Sequence, residues 1–266
     1  MMNLDLLFFV ADHTNNQAMR DAAIQHARTS ARSHIREDFS TTHVVNFNPS
    51  TGVIKEELTN QGFSHTSCWS RGQAWAIAGF AETYHWTRMN EFLDTSRTCA
   101  DYFLERLPPS GVAPWDFDAY SQTPAAERAS EPTDTSATMI AAYGMLLLHK
   151  AITQRGEQSP YLSAALTMAN AVSSKHLNQP ARYSTRHSEI ETVEHGVIQV
   201  PEEVFAEAGR GDTIVNGATI NNYEFAPRRW ANHGLVYADY YYLLFGNELL
   251  KMDLGTFLGG SFKAQH

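Results

Sequence analysis

The sequence predicts an all-α fold of the (α/α) toroid type, in which helical hairpins stack side by side as a single domain over residues 1–266. Three observations predict it. The chain repeats one unit, a helix, a short turn, a second helix and a long loop. Within each unit the first helix is apolar on nearly every side and rich in small residues, whereas the second has one apolar stripe. The long loops recur at the same place in every unit, so they gather at one rim of a ring, where a site is expected.

The first unit opens with a short apolar helix over Asn3 to Asp12, a polar turn at His13 to Asn16, and an amphipathic helix from Gln17 to Ile35. Ala23, Ala27, Ala31 and Ile35 recur in that second helix at helical spacing. A polar excursion follows, with Thr42 to Phe47 expected as a short strand. The second unit pairs a helix over Gln73 to Trp86 with one over Phe92 to Leu107. An extended tail follows, Ser110 to Asp118, in which Asp116 and Asp118 would share one side as a carboxylate pair if it were a strand, although a loop cap or ordinary turn is the favoured reading. Helices over Asp134 to Thr153 and Pro160 to Leu177 form the third unit, the first of them capped by Asp134 or Thr135. An irregular stretch from Asn178 to Asn232 carries a small basic cluster between Arg182 and Arg186, read as solvated. A final helix, His233 to Met252, brings the expected count to about seven.

Composition excludes several classes of function. The 266 residues carry a net charge of −9, and no basic stripe suited to a nucleic-acid backbone occurs. No apolar run reaches membrane-spanning length, and the run Leu6 to Val10 is flanked by Asp5 and Asp12 rather than by a basic leader. The histidines never fall into ligand spacing with acids, so neither metal nor cofactor is expected. Two cysteines, Cys68 and Cys99, suit a reducing compartment, and a cytoplasmic location is expected.

The densest chemistry lies in Thr66 to Trp75, where Trp69, Arg71, Gln73 and Trp75 sit at the start of a long helical pattern. Flat indole faces suit stacking on a sugar ring, and a guanidinium fork suits a carboxylate. Core tryptophans with a surface ion-pair arginine are the plainer alternative. The string Trp69-Ser70-Arg71-Gly72-Gln73-Ala74-Trp75 resembles the signature of the unsaturated glucuronyl hydrolases, glycoside hydrolase family 88. The resemblance extends from Met1-Met2-Asn3-Leu4 through Asp116-Phe117-Asp118 and Asp134-Thr135-Ser136 to Tyr237-Ala238-Asp239-Tyr240-Tyr241-Tyr242.

What the resemblance implies is specific. It implies an incomplete (α/α)6 barrel and a substrate with a 4,5-unsaturated uronyl residue. The vinyl ether of that residue is protonated at C4, water adds at C5, and the hemiketal collapses to release the sugar. Proton transfer of this kind is worth about 10²–10⁴-fold in rate. The resemblance places the family's general acid, an aspartate, just ahead of Met1, and a second essential aspartate further upstream. No catalytic residue is therefore assigned within 1–266. It matches His43, Gln61, Trp69, Arg71 and Trp75 to the family's substrate pocket, with the tryptophans packing on sugar and Arg71 and Gln61 making polar contacts.

Taken without the resemblance, His43 reads as a solvent-facing residue on an edge strand and Gln61 as an ordinary loop residue. Two further readings stand beside the hydrolase: a non-catalytic carbohydrate-binding or interaction protein on the same toroid, and an unsaturated rhamnogalacturonyl hydrolase. An open ring would also leave apolar helix flanks bare, so self-association through its edges is expected.

Overall fold

Seven long helices arrange themselves in two layers because their apolar surfaces differ in width. The computed structural model describes residues 2–179, 183–184, 188–192, 194, 196–200, 205–206 and 213–258. The hairpin helices are α1 (Asn3–His13), α2 (Gln17–His34), α3 (Ser70–Thr87), α4 (Asn90–Arg106), α6 (Thr135–Thr153), α7 (Tyr161–Lys175) and α8 (Val236–Lys251), with a short α5 (Phe117–Gln122) between α4 and α6. Helices α3 and α6 are buried on almost every side, whereas α4 buries only the stripe Phe92, Leu93, Ser96, Cys99, Ala100 and Phe103. A helix buried all round needs neighbours all round. Accordingly α3 packs against α1, α4 and α6, and α6 packs in turn against α7 and α8. The inner layer therefore runs α1, α3, α6, α8, backed by α2, α4 and α7.

The expected toroid is the observed architecture. Expected and observed helix ends differ mainly at α3, which begins at Ser70 rather than Gln73, and at α8, which begins at Val236 rather than His233. The two central helices come close at Gly144, where a Cβ would lie 2.8 Å from the backbone nitrogen of Ala78.

Extended segments tie the starts of the inner helices into one rim. Phe117 N donates to Cys68 O (3.1 Å), Asp134 N to Ala113 O (2.8 Å), Thr135 N to Gly217 O (3.1 Å) and Ala218 N to His233 O (2.9 Å). A hairpin of β1 (Val44–Phe47) and β2 (Ile54–Leu58), paired antiparallel, rises beside this rim. The strand expected at Thr42 to Phe47 is thus present from Val44 onward. Four further short strands, β3 (Tyr183–Ser184), β4 (Ser188–Thr192), β5 (Gly196–Val200) and β6 (Phe205–Ala206), pair as β3 with β6 and β4 with β5. Of the basic cluster, Arg182 and Arg186 lie outside the described residues.

The tail at Ser110 to Asp118 is not a strand with two carboxylates on one side. Asp116 caps α5, its Oδ1 accepting from Asp118 N (2.9 Å) and Ala119 N (3.2 Å), and its Oδ2 from Phe63 N (2.9 Å) and Ser67 Oγ (2.7 Å). Burial pushes this carboxyl upward, and those four donors oppose the shift. Asp118 accepts from Arg106 Nη2 (2.8 Å) and Cys68 N (2.7 Å). Both carboxylates are occupied in holding the rim together. Among the described residues no helix is long and apolar enough to cross a membrane, and no group of three or more His, Cys, Asp or Glu could hold a metal ion.

Candidate functional site

A cavity of about 580 Å³ lies under the rim, between the α1–α2 hairpin and α3. The start of α1 contributes Met2 and Asn3, and the end of α2 contributes Ser30, His34 and Ile35. The segment before β1 adds Thr41, Thr42 and His43. The loop before α3 adds Gln61, and α3 and its cap residue add Trp69, Gly72, Trp75, Ala76 and Phe80. Four of the five residues singled out in the sequence, His43, Gln61, Trp69 and Trp75, therefore meet around one space.

Each of these side chains is held by identifiable contacts. Trp69 is the cap residue of α3 and is extended, with its indole nearly buried. The His43 ring lies 4.2 Å from the indole, tilted by 35°. Asn60 N donates to His43 Nδ1 (3.4 Å), which makes Nδ1 an acceptor and leaves the ring proton on Nε2. Thr59 Oγ1 also lies 2.9 Å from Nδ1. Burial, with the nearby Arg71 charge and His34, lowers the His43 pKa to about 4, so the imidazole is neutral at physiological pH. Gln61 Nε2 donates to Ile220 O (3.0 Å). Trp75 meets the edge of Tyr241 at 5.4 Å.

Arg71 does not sit where the sequence reading placed it. A guanidinium free to meet a ligand carboxylate was expected, yet Arg71 is only 2% exposed and does not line the cavity. Its Nη1 donates to Asp134 Oδ2 (2.8 Å), Ser136 Oγ (2.9 Å) and Thr219 O (2.8 Å), and its Nη2 to Ile220 O (2.6 Å). The reason is local: Arg71 is on the first turn of α3, which faces the start of α6, where Asp134 caps that helix. Gln73, in the same signature, is also structural, donating to Phe39 O (2.9 Å) and Cys99 O (3.0 Å).

The structure adds wall residues that sequence reasoning passed over. Thr41 and Thr42 line the cavity, and their hydroxyls, like Trp69 Nε1, have no protein partner. Buried polar atoms are nearly always satisfied, so these three beside the cavity are exceptions. Both threonines precede a strand, and nothing in their local pattern distinguishes them from ordinary β-formers. The cavity is bounded by the N-terminal ends of α1 and α3 and by the C-terminal end of α2.

No protein-family model matches the chain. The chain is 33% identical over 177 residues to an unsaturated glucuronyl hydrolase of Formosa agariphila, a match covering 66% of this chain and 42% of that protein. It is likewise 33% identical over 180 residues to an unsaturated chondroitin disaccharide hydrolase of Streptococcus pyogenes, covering 67% and 44%. The solved unsaturated glucuronyl hydrolase of Bacillus sp. GL1 superposes with a TM-score of 0.71 at 26% identity, over 95% of this chain and 58% of that one. Sequence and fold together make the chain a homologue of the unsaturated glucuronyl hydrolases. It spans less than half the length of the curated hydrolases it matches. A solved variant of the Streptococcus agalactiae hydrolase, complexed with dGlcA-GalNAc6S, gives a TM-score of 0.69 at 27% identity, over 93% of this chain and 56% of that one.

Proposed function

We propose that this chain forms the sugar-binding wall of an unsaturated glucuronyl hydrolase, a glycosidase that hydrates 4,5-unsaturated uronyl oligosaccharides. The observation that carries this reading is the meeting of His43, Gln61, Trp69 and Trp75 around one cavity at the N-terminal ends of α1 and α3. Half-buried Trp75 supplies a flat apolar face for the ring, Trp69, packed against His43 and Arg71, backs the wall, and the neutral His43 offers its Nε2 proton.

Hydration also needs a carboxyl poised near neutral pH. Among the described residues the wall presents hydroxyls, imidazoles, amides and aromatic faces. The resemblance expects the acid just ahead of Met1, close in sequence to Met2 and Asn3, which are themselves wall residues. The chain as given is therefore expected to bind without appreciable turnover, the behaviour of a carbohydrate-binding module on the same toroid. Isothermal titration with an unsaturated uronyl disaccharide tests the reading, and a rhamnogalacturonyl disaccharide in parallel tests the neighbouring substrate class. Saturable binding that Trp75→Ala weakens supports it, whereas no binding of either sugar removes it.

We further infer association through the ends of the inner layer. Leu6 and Phe9 on α1 and Val236, Tyr240 and Leu243 on α8 are large and exposed, and they lie on the two flanking helices of the arc. A cytoplasmic setting suits the two cysteines, both buried and unpaired.

A further inference from the structure

Arg71 and Asp134 form a buried ion pair, Nη1 to Oδ2 at 2.8 Å. Arg71 is 2% exposed and Asp134 fully buried. Taking two charges out of water costs several kcal/mol each before they attract one another, and an apolar pair of similar volume often serves stability as well. A pair of this kind is best accounted for by what it holds in place. Here it holds one stretch of backbone. Arg71 donates to both Thr219 O and Ile220 O, and Gln61 Nε2 donates to that same Ile220 O. Asn222 N returns a bond to Gln61 O (3.4 Å). The guanidinium lies 4.6 Å from the centre of the Trp69 ring and 5.1 Å from that of Tyr237.

Asp134 is positioned for this task by its own cap. Its Oδ1 accepts from Ser136 N (3.0 Å), Ser136 Oγ (2.5 Å) and Ala137 N (3.3 Å), which leaves Oδ2 to face Arg71. Thr219 Oγ1 donates to Thr133 O (2.7 Å), so the loop is tied on both sides of the pair.

We propose that Asp134 and Arg71 are positioning residues: the carboxylate fixes the guanidinium, and the guanidinium both fixes the backbone at 219–220 that orients Gln61 and itself backs the Trp69 ring at the cavity wall. Neither residue meets the sugar. The proposal rests on the reading of the cavity as a sugar site only for what Gln61 and Trp69 do there. The latch itself is independent of ligand. Asp134→Asn keeps the cap oxygen and removes the charge, whereas Arg71→Lys keeps the charge and removes the planar fork that reaches two carbonyls.

Amide hydrogen exchange of the intact chain, followed by mass spectrometry in both variants, decides between a latch and a merely stabilising pair. Peptides covering 218–222 are expected to exchange at least about tenfold faster than in the parent chain. Those from α4 and α7 should stay unchanged. Should Asp134→Asn fail to fold, Arg71→Lys carries the test alone. Unchanged exchange at 218–222, or acceleration shared equally by α4 and α7, would overturn the latch. Titration with the unsaturated uronyl disaccharide then separates the two readings. Local acceleration with weakened binding supports both, and local acceleration in a parent chain that binds no sugar leaves the latch standing while the sugar site falls.

Discussion

Replacing Gly144 by alanine tests the stacking of α6 on α3. The added methyl would sit 2.8 Å from Ala78 N, 2.9 Å from Ala78 Cα and 2.9 Å from Ile77 Cγ2. Ordinary contact begins near 3.4 Å, so α6 has to move off α3 by several tenths of an ångström, and two of the three atoms met are backbone that no rotamer change can clear. Overpacking of this kind costs about 1–3 kcal/mol. Alanine in a helix interior returns about 1 kcal/mol of propensity. Three contacts under 3.0 Å, two of them to backbone, place the cost in the upper half of the overpacking range, about 2–3 kcal/mol, so the net loss is roughly 1–2 kcal/mol, which for a chain of this size lowers Tm by about 2–8 °C. Urea and thermal unfolding followed by circular dichroism read it directly. A Gly144→Ala protein as stable as the parent would refute the argument, because it would mean that α3 and α6 are not in backbone contact.

Three further outcomes follow from named groups. Glu82 on α3 is pushed up to about 8 by burial, and by the Asp5 charge, from an ordinary 4.5; its folded state holds the proton more tightly than the unfolded one, so stability is lost as pH rises from 4.5 through 8. Glu82→Gln should therefore gain Tm relative to the parent at pH 8 and little at pH 4.5, and equal shifts at both values would contradict the burial of that carboxyl. His43 has the opposite sign: held at about 4 against 6.5, it supports the fold above 6.5 and loses that contribution as pH falls through 4. Proton NMR should show one histidine titrating near pH 4, missing in His43→Gln, and a His43 midpoint near 6.5 would place its ring in water. Finally, Leu6→Lys with Leu243→Lys should lower the mass seen in light scattering toward one chain; a monomeric parent would discard association through the helix edges.

Much of the fold was legible because it rests on periodicity. The breadth of the apolar surface on α3 and α6, against the single stripe on α4, is written in residue order and fixes which helices lie inside. The strand β2 was not legible, since Ile54 to Leu58 is mostly polar and exposed and exists by pairing with β1. Asp116 was legible as a local cap, which it is through Asp118 N and Ala119 N; what was not legible is that its other oxygen accepts from Phe63 N and Ser67 Oγ, some fifty residues away in sequence. Arg71 illustrates the same limit. Its residue type suits a carboxylate, and it does bind one, but the carboxylate is Asp134, sixty-three residues on, brought opposite by the packing of α3 on α6. Sequence spacing shows what a side chain can bond to, and tertiary packing decides which partner it has.

The central claim, that the cavity beneath the rim receives an unsaturated uronyl residue, is tested most directly by titrating the chain with an unsaturated uronyl disaccharide while recording the ultraviolet absorbance of its conjugated double bond. The account predicts one saturable site, weakened about tenfold or more by Trp75→Ala, with the absorbance persisting because the proton donor is expected outside these residues. Loss of absorbance with the chain as given would mean that a carboxyl within it donates the proton. Absence of binding, or binding indifferent to both Trp75→Ala and His43→Gln, would contradict the claim.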